Sequence, residues 1–134
     1  MKKLLKFAAV GLLVIAAAMI VVYRAVNQVP SADLPENERV AMIFQEGGCL
    51  SCHSEDPVLP FYAKLPVAGK VVMKDVDSGY RAYDMRPFMD ALESGTEVNA
   101  VDLAKVEKVI LDGRMPMPKY YLVHWGSSIT PAKR

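Results

Sequence analysis

EGGCLSCHSED, residues 46–56, holds both cysteines of this 134-residue chain and one of its two histidines. Cys49 and Cys52 stand three positions apart, and His53 follows the second cysteine directly. Few chemistries use that spacing. A disulfide between the two would close so small a loop that it stabilises little. A thioredoxin-like redox pair expects strands and helices to alternate around it, and no such alternation is visible here. Zinc with His124 as a fourth ligand is a further option. Adjacent residues such as Cys52 and His53 diverge, however, and rarely close one tetrahedron.

The order Cys-x-x-Cys-His is the attachment signature of a c-type haem. Each thiol adds to one porphyrin vinyl group, and the two intervening residues let the chain span the pair. The next residue, His53, then projects its imidazole at the iron as the proximal ligand. The cofactor expected is one covalently attached haem c, held through Cys49 and Cys52.

Upstream of the motif, Pro35 suits the first position of a helix, and Glu36 and Glu38 suit its first turn, where the dipole favours acids. Val40, Ile43 and Phe44 form an apolar stripe, and Gly47-Gly48 ends the helix. Residues 29–37, with Pro30 and Pro35, read as a tether. Residues 1–28 read as a membrane anchor or signal segment. Hydrophobic residues make up 52% of the chain, and much of the excess lies here. Phe7 to Tyr23 carries no charge. Its seventeen residues would span roughly 26 Å as a helix, just short of a hydrocarbon core of about 30 Å. Leu4 and Leu5, with Lys6 and Arg24 snorkelling, make up the difference. The alanines at 16–18 are followed by Met19 to Val22 rather than a polar mature start, which favours an uncleaved anchor over a cleaved signal. The N-terminal lysines hold that end in the cytoplasm and send the rest outward. The expected location is the bacterial inner membrane, with the haem domain, residues 38–134, facing the periplasm. A net charge of +1 and no basic patch interleaved with aromatics argue against nucleic acid.

Downstream, Pro57, Pro60, Pro66 and Gly69 make Ser54 to Met73 loop-like. Helical pieces are expected at Tyr80–Asp84 and at Arg86–Glu93, the latter closed by Gly95. Asn99 caps the best helix, with apolar residues at 103, 106, 109 and 110 and Gly113 as terminator. "RMPMPKYYLVHWGSSIT" follows as a proline-rich extended segment. The fold predicted is all-α: an N-terminal transmembrane helix, then a small cytochrome c-like domain of short helices and long loops. Such loops do not order themselves against a backbone entropy cost of about 1–2 kcal/mol per residue. A large apolar group for them to wrap would supply what is missing.

The sixth iron ligand needs a lone pair. Met115 is preferred, because Met-Pro after a glycine-ended helix is familiar in small cytochromes c. Met117 is second, and His124 is the rival that would give bis-histidine ligation and a lower potential. Tyr120, Tyr121 and Trp125 are expected as wall residues of the haem crevice, and Arg114 or Lys119 as partners of a propionate.

With these residues located, the chain resembles the small haem-binding domain found alone or fused ahead of bacterial di-haem cytochrome c peroxidases. The resemblance is carried by CLSCHS, LPFYAKLPV, KDVDSGYRAYDM and GRMPMPKYYLVHW, and covers roughly Val40 to Thr130. It adds Tyr62 to the expected cofactor-binding residues, along with Pro66, Asp75, Val76 and Gly79 as matched positions. The family usually reads Met-Pro-Pro where this chain has Met115-Pro116-Met117, which supports Met115 as the ligand. A histidine near Asp75, common in the family, is missing. The family continues into a final helix after a step like Ile129-Thr130, so the resemblance implies a domain lacking its last helix.

These features predict electron transfer outside the cytoplasm. The donor would be a quinol-oxidising partner or another cytochrome, and the acceptor a cytochrome c peroxidase domain. No catalytic acid–base pair is visible in the chain itself. The alternatives are the N-terminal part of a multihaem peroxidase that reduces peroxide, and a haem-based sensor or binding module.

Overall fold

The computed structural model describes residues 2–133. Helix α1 runs unbroken from Lys2 to Val26. It is longer than the uncharged run, because the flanking lysines and arginine are good helix formers. Lys3–Val26, 24 residues, would span about 36 Å, long and apolar enough to cross a membrane. None of its most apolar window is buried against the rest of the chain.

After a link with one turn, closed by the Leu34 amide on the Ser31 carbonyl at 3.3 Å, α2 covers Glu36–Gly47. Pro35 is its N-cap rather than its first helical residue. Gly48 adopts φ 66° and sends its amide back to the last carbonyls. Only a residue without a Cβ takes that conformation readily.

The expectation of a loop across Ser54–Met73 holds only in part. A 3₁₀ turn forms at Phe61–Lys64, and α3 then runs from Pro66 to Ala82. Pro66 occupies the first turn, where its missing N–H costs nothing. Gly69 reads as a breaker in sequence, but it and Gly79 are both points of close approach. A Cβ at Gly69 would collide with the Ala63 carbonyl, and one at Gly79 with the backbone of Cys52. The helical piece expected at Tyr80–Asp84 is the end of α3, and Tyr83 is already extended.

Helix α4, Arg86–Ser94, stops at Gly95 with φ 69°. Helix α5, Ala100–Leu111, starts at Asn99, whose side chain accepts from the Val101 and Asp102 amides. The proline-rich tail departs from the extended form expected. It folds into a single helical turn, α6 (Pro118–Tyr121), and 3₁₀ turns at Trp125–Ser127 and Pro131–Lys133. Among the described residues there is no strand.

The core is small. Ala41 and Phe44 of α2 pack on Met85 and on Phe88, Met89 and Leu92 of α4. Phe44 and Phe88 meet edge to face, centroids 5.5 Å apart, the arrangement ring quadrupoles favour. Asn37 Nδ2 donates to the Leu92 carbonyl at 2.9 Å, tying the two helices further. Helix α5 has no fully buried residue, although its apolar stripe is well formed. That stripe faces a cavity.

Candidate haem site

The glycine pair that stops α2 turns the chain sharply into the cysteine motif. Cys49–Ser51 form a 3₁₀ turn, and the amides of Cys52 and His53 both bond the Cys49 carbonyl, at 3.2 and 3.0 Å. The five motif residues are thereby wound into one turn. Ser54, 2% exposed, locks it from below by donating Oγ–H to the Leu50 carbonyl at 2.7 Å. From the α3–α4 connection, the Met85 amide donates to the His53 carbonyl at 2.8 Å. Helix α3 presses on the motif at Gly79, where even a methyl group would meet Cys52.

His53 Nδ1 lies 2.9 Å from the Tyr83 carbonyl oxygen. A carbonyl only accepts, so Nδ1 carries the proton and donates. The tautomer is therefore fixed with a bare lone pair on Nε2, the state a metal-ligating imidazole requires. Nothing in the sequence marks this contact, since a backbone carbonyl has no residue-type signature.

These residues stand on the wall of a cavity of about 460 Å³, within the roughly 300–1,000 Å³ of cofactor sites. The wall joins Cys49, Cys52 and His53 to Met115, Met117 and Tyr120 from the far end of the sequence. Phe44, Val106, Val109, Ile110 and Ile129 make it predominantly apolar. Its carboxylate and ammonium groups, Asp75 and Lys105, have partners of their own: Lys119 at 2.7 Å and Asp102 at 3.4 Å. Arg114 is paired with Asp112 at 3.2 Å. Both cysteines are free thiols. Burial pushes the Cys49 thiol up to about 12. Burial, reinforced by the negative charge of Asp75, also raises the Cys52 thiol.

An apolar cavity of this size, with two neutral thiols and an imidazole of fixed tautomer on its wall, fits a haem. The thiols and the imidazole come from one turn of backbone, and the methionines supply soft thioether sulfur.

Tyr121 and Trp125, expected on the wall, do not line it, and neither do His124 and Tyr62, the latter added by the resemblance. His124 has both ring nitrogens engaged. Nδ1–H donates to the Tyr120 carbonyl at 3.2 Å, and Nε2 accepts the Tyr62 hydroxyl at 2.9 Å. Its ring stacks on Tyr120, 3.8 Å between centroids and 12° between planes. The two residues thus back up Tyr120 from behind. Trp125 is turned outward because its 3₁₀ segment is fastened to the end of α1. The α5 residues Val106, Val109 and Ile110 are legible in sequence as a stripe, but not as cavity lining. Met115–Pro116 is a cis peptide bond.

The family model of the Haem-binding domain matches residues 12–134. Over 106 residues the chain is 29% identical to the cytochrome c peroxidase Ccp of Escherichia coli (strain K12), covering 79% of this chain and 23% of that protein. The chain thus spans about a quarter of the length of that relative. No solved structure matches it. Because the matched stretch takes in every residue of the cavity wall, this chain belongs to the Haem-binding domain family.

Proposed function

We propose that this chain is a monohaem c-type cytochrome domain that carries electrons outside the cytoplasm to a cytochrome c peroxidase. Residues 1–28 anchor it in a bacterial inner membrane, 29–37 form the link, and 38–134 bind haem on the periplasmic side. The observation that carries this reading is the convergence of Cys49, Cys52, His53 and Met115 on one apolar cavity.

Haem bound there supplies a one-electron iron couple. The protein supplies the rest. Cys49 and Cys52 would hold the ring covalently through their sulfurs, as thioethers. His53 serves as proximal ligand through Nε2, its orientation and basicity set by the Tyr83 carbonyl. Met115 serves as the sixth ligand, and His/Met ligation raises the potential relative to two histidines. Phe44, Val106 and Ile110 would keep water away from a haem held in the cavity. Electrons arrive from a quinol-oxidising complex or another cytochrome.

One observation favours a second reading. The matched stretch of the curated relative lies within a protein more than four times longer, whose name is a peroxidase. On that reading the same domain is the electron-entry portion of a peroxide-reducing enzyme. Stopped-flow mixing of the matured, reduced chain with hydrogen peroxide separates carrier from catalyst. The carrier stays reduced until a di-haem cytochrome c peroxidase is added, and then oxidises. Rapid peroxide reduction by the chain alone would defeat the proposal.

A further inference from the structure

Asn27, the first residue after α1, is buried and makes three hydrogen bonds. Its Nδ2 donates to the Tyr23 carbonyl at 2.9 Å and to the Trp125 carbonyl at 2.7 Å. Its Oδ1 accepts the Ser128 amide at 3.2 Å. Gly126 fits closely beside the same turn, where a Cβ would stand 3.3 Å from the Val26 carbonyl oxygen. The last turn of α1 and the Trp125–Ser127 turn are therefore one packed joint, and the domain does not swing freely on its link.

The depth of that joint follows from the helix. The uncharged run ends at Tyr23, and Asn27 comes four residues later, about 6 Å further along the axis. The headgroup layer on each side of a bilayer is about 5–8 Å thick, the excess of the whole bilayer over its hydrocarbon core. Trp125, bonded through its carbonyl to Asn27, falls within that layer. Beside it Leu122 is 77% exposed, Val123 64% and Trp125 46%. Leu122 and Val123 lie three and two residues before Trp125, and leucine, valine and indole suit the acyl–headgroup boundary, where tryptophan is enriched and apolar side chains are buried. Arg24, in the last turn of α1, lies about 4.5 Å deeper along the axis than Asn27 and would snorkel its guanidinium outward to the lipid phosphates.

We infer that Leu122, Val123 and Trp125 dip into the outer leaflet of the membrane that α1 crosses, so that lipid covers this patch and holds the haem domain on the bilayer surface. The inference rests on the reading of α1 as a membrane span. The equally exposed Phe61 and Val67, at 81% and 79%, have no such tie to α1 and serve as controls.

The test places the photo-crosslinker p-benzoylphenylalanine singly at Leu12, Leu122, Val123, Phe61 or Val67 of the full, haem-matured chain in native membranes. Lipid adducts are then read by mass spectrometry. Adducts at 122 and 123 should approach the level at 12 and exceed those at 61 and 67 several-fold. Asn27→Ala should lower labelling at 122 and 123 several-fold and leave position 12 unchanged. Labelling at 12, with 122 and 123 no higher than the controls, would overturn the inference while the anchor stands. Protein adducts at 122 and 123, equal lipid labelling at every position, or no effect of Asn27→Ala would overturn it too. No lipid adduct at 12 would remove the anchor reading, and the inference with it.

Discussion

Replacing Gly79 by alanine sets two opposed effects against each other, and the structure says which wins. Within a helix such as α3, a Gly→Ala change stabilises by about 0.5–1 kcal/mol through backbone entropy alone. At Gly79, however, the new Cβ would stand 2.5 Å from the Cys52 carbonyl oxygen and 3.1 Å from both its carbonyl carbon and its Cβ. The shortfall from ordinary contact is about 0.9 Å, deep in the repulsive wall. The obstructing atoms are mainly backbone, so no rotamer change relieves them. Either α3 or the cysteine turn must move, and overpacking of this kind costs about 1–3 kcal/mol. The net expectation is a loss of up to about 2.5 kcal/mol, which for a domain of this size lowers the midpoint by up to roughly 20 °C. Displacement of Cys52 should also reduce the yield of haem-loaded protein. Thermal unfolding followed by circular dichroism, with haem content read from the absorbance spectrum, checks both. A Gly79→Ala protein more stable than the parent, with unchanged haem content, would mean that α3 does not press on the motif as described.

Three other outcomes follow from the same structure. Met115→Leu should abolish the sulfur-to-iron charge-transfer band of the ferric protein, while Met117→Leu keeps it; the reverse pattern would transfer the ligand role to Met117. Asn99→Ala removes a side-chain oxygen 2.9 Å from the Val101 amide and should cost about 1 kcal/mol of stability, with Asn99→Gly costing only a few tenths, both measurable by urea unfolding. In haem-free protein the folded state holds the Cys49 proton more tightly than the unfolded chain does. The thiol therefore contributes full stability below its ordinary value of 9.0, and that contribution is lost as pH rises toward about 12. Urea midpoints should fall across that window in the parent and much less in Cys49→Ser.

The parts of the fold legible in sequence are those with local causes. Asn99 as a cap, Gly48 and Gly95 as left-handed stops, and the uncharged run of α1 each follow from one residue's own chemistry. The cysteine motif is legible for the same reason, since its spacing is set by the group it would hold. The start of helix α3 is misread because Gly69 answers to Ala63 in the preceding turn, as Gly79 further along answers to Cys52 in the motif. Their cost as helix residues is local, and their benefit is tertiary. The tail is misread likewise: Pro116 and Pro118 suggest an extended strand of chain, yet Pro118 opens a helical turn. Tyr62 and His124 stand out in the resemblance, but their mutual hydrogen bond, which takes His124 away from the cavity, appears only once the chain is folded. Lys133, whose side chain is 2% exposed and lies 3.0 Å from Glu46, shows the same limit. No local pattern marks that ion pair, which fastens the tail to α2.

The account depends most on covalent attachment at the cysteine turn. Intact-mass spectrometry of the chain, exported by a host competent for cytochrome c maturation, tests it most directly. The account predicts the mass of the polypeptide plus one haem, reduced to unmodified polypeptide in the Cys49→Ser/Cys52→Ser double variant. Polypeptide mass alone in the parent, with the cavity residues intact, would contradict it.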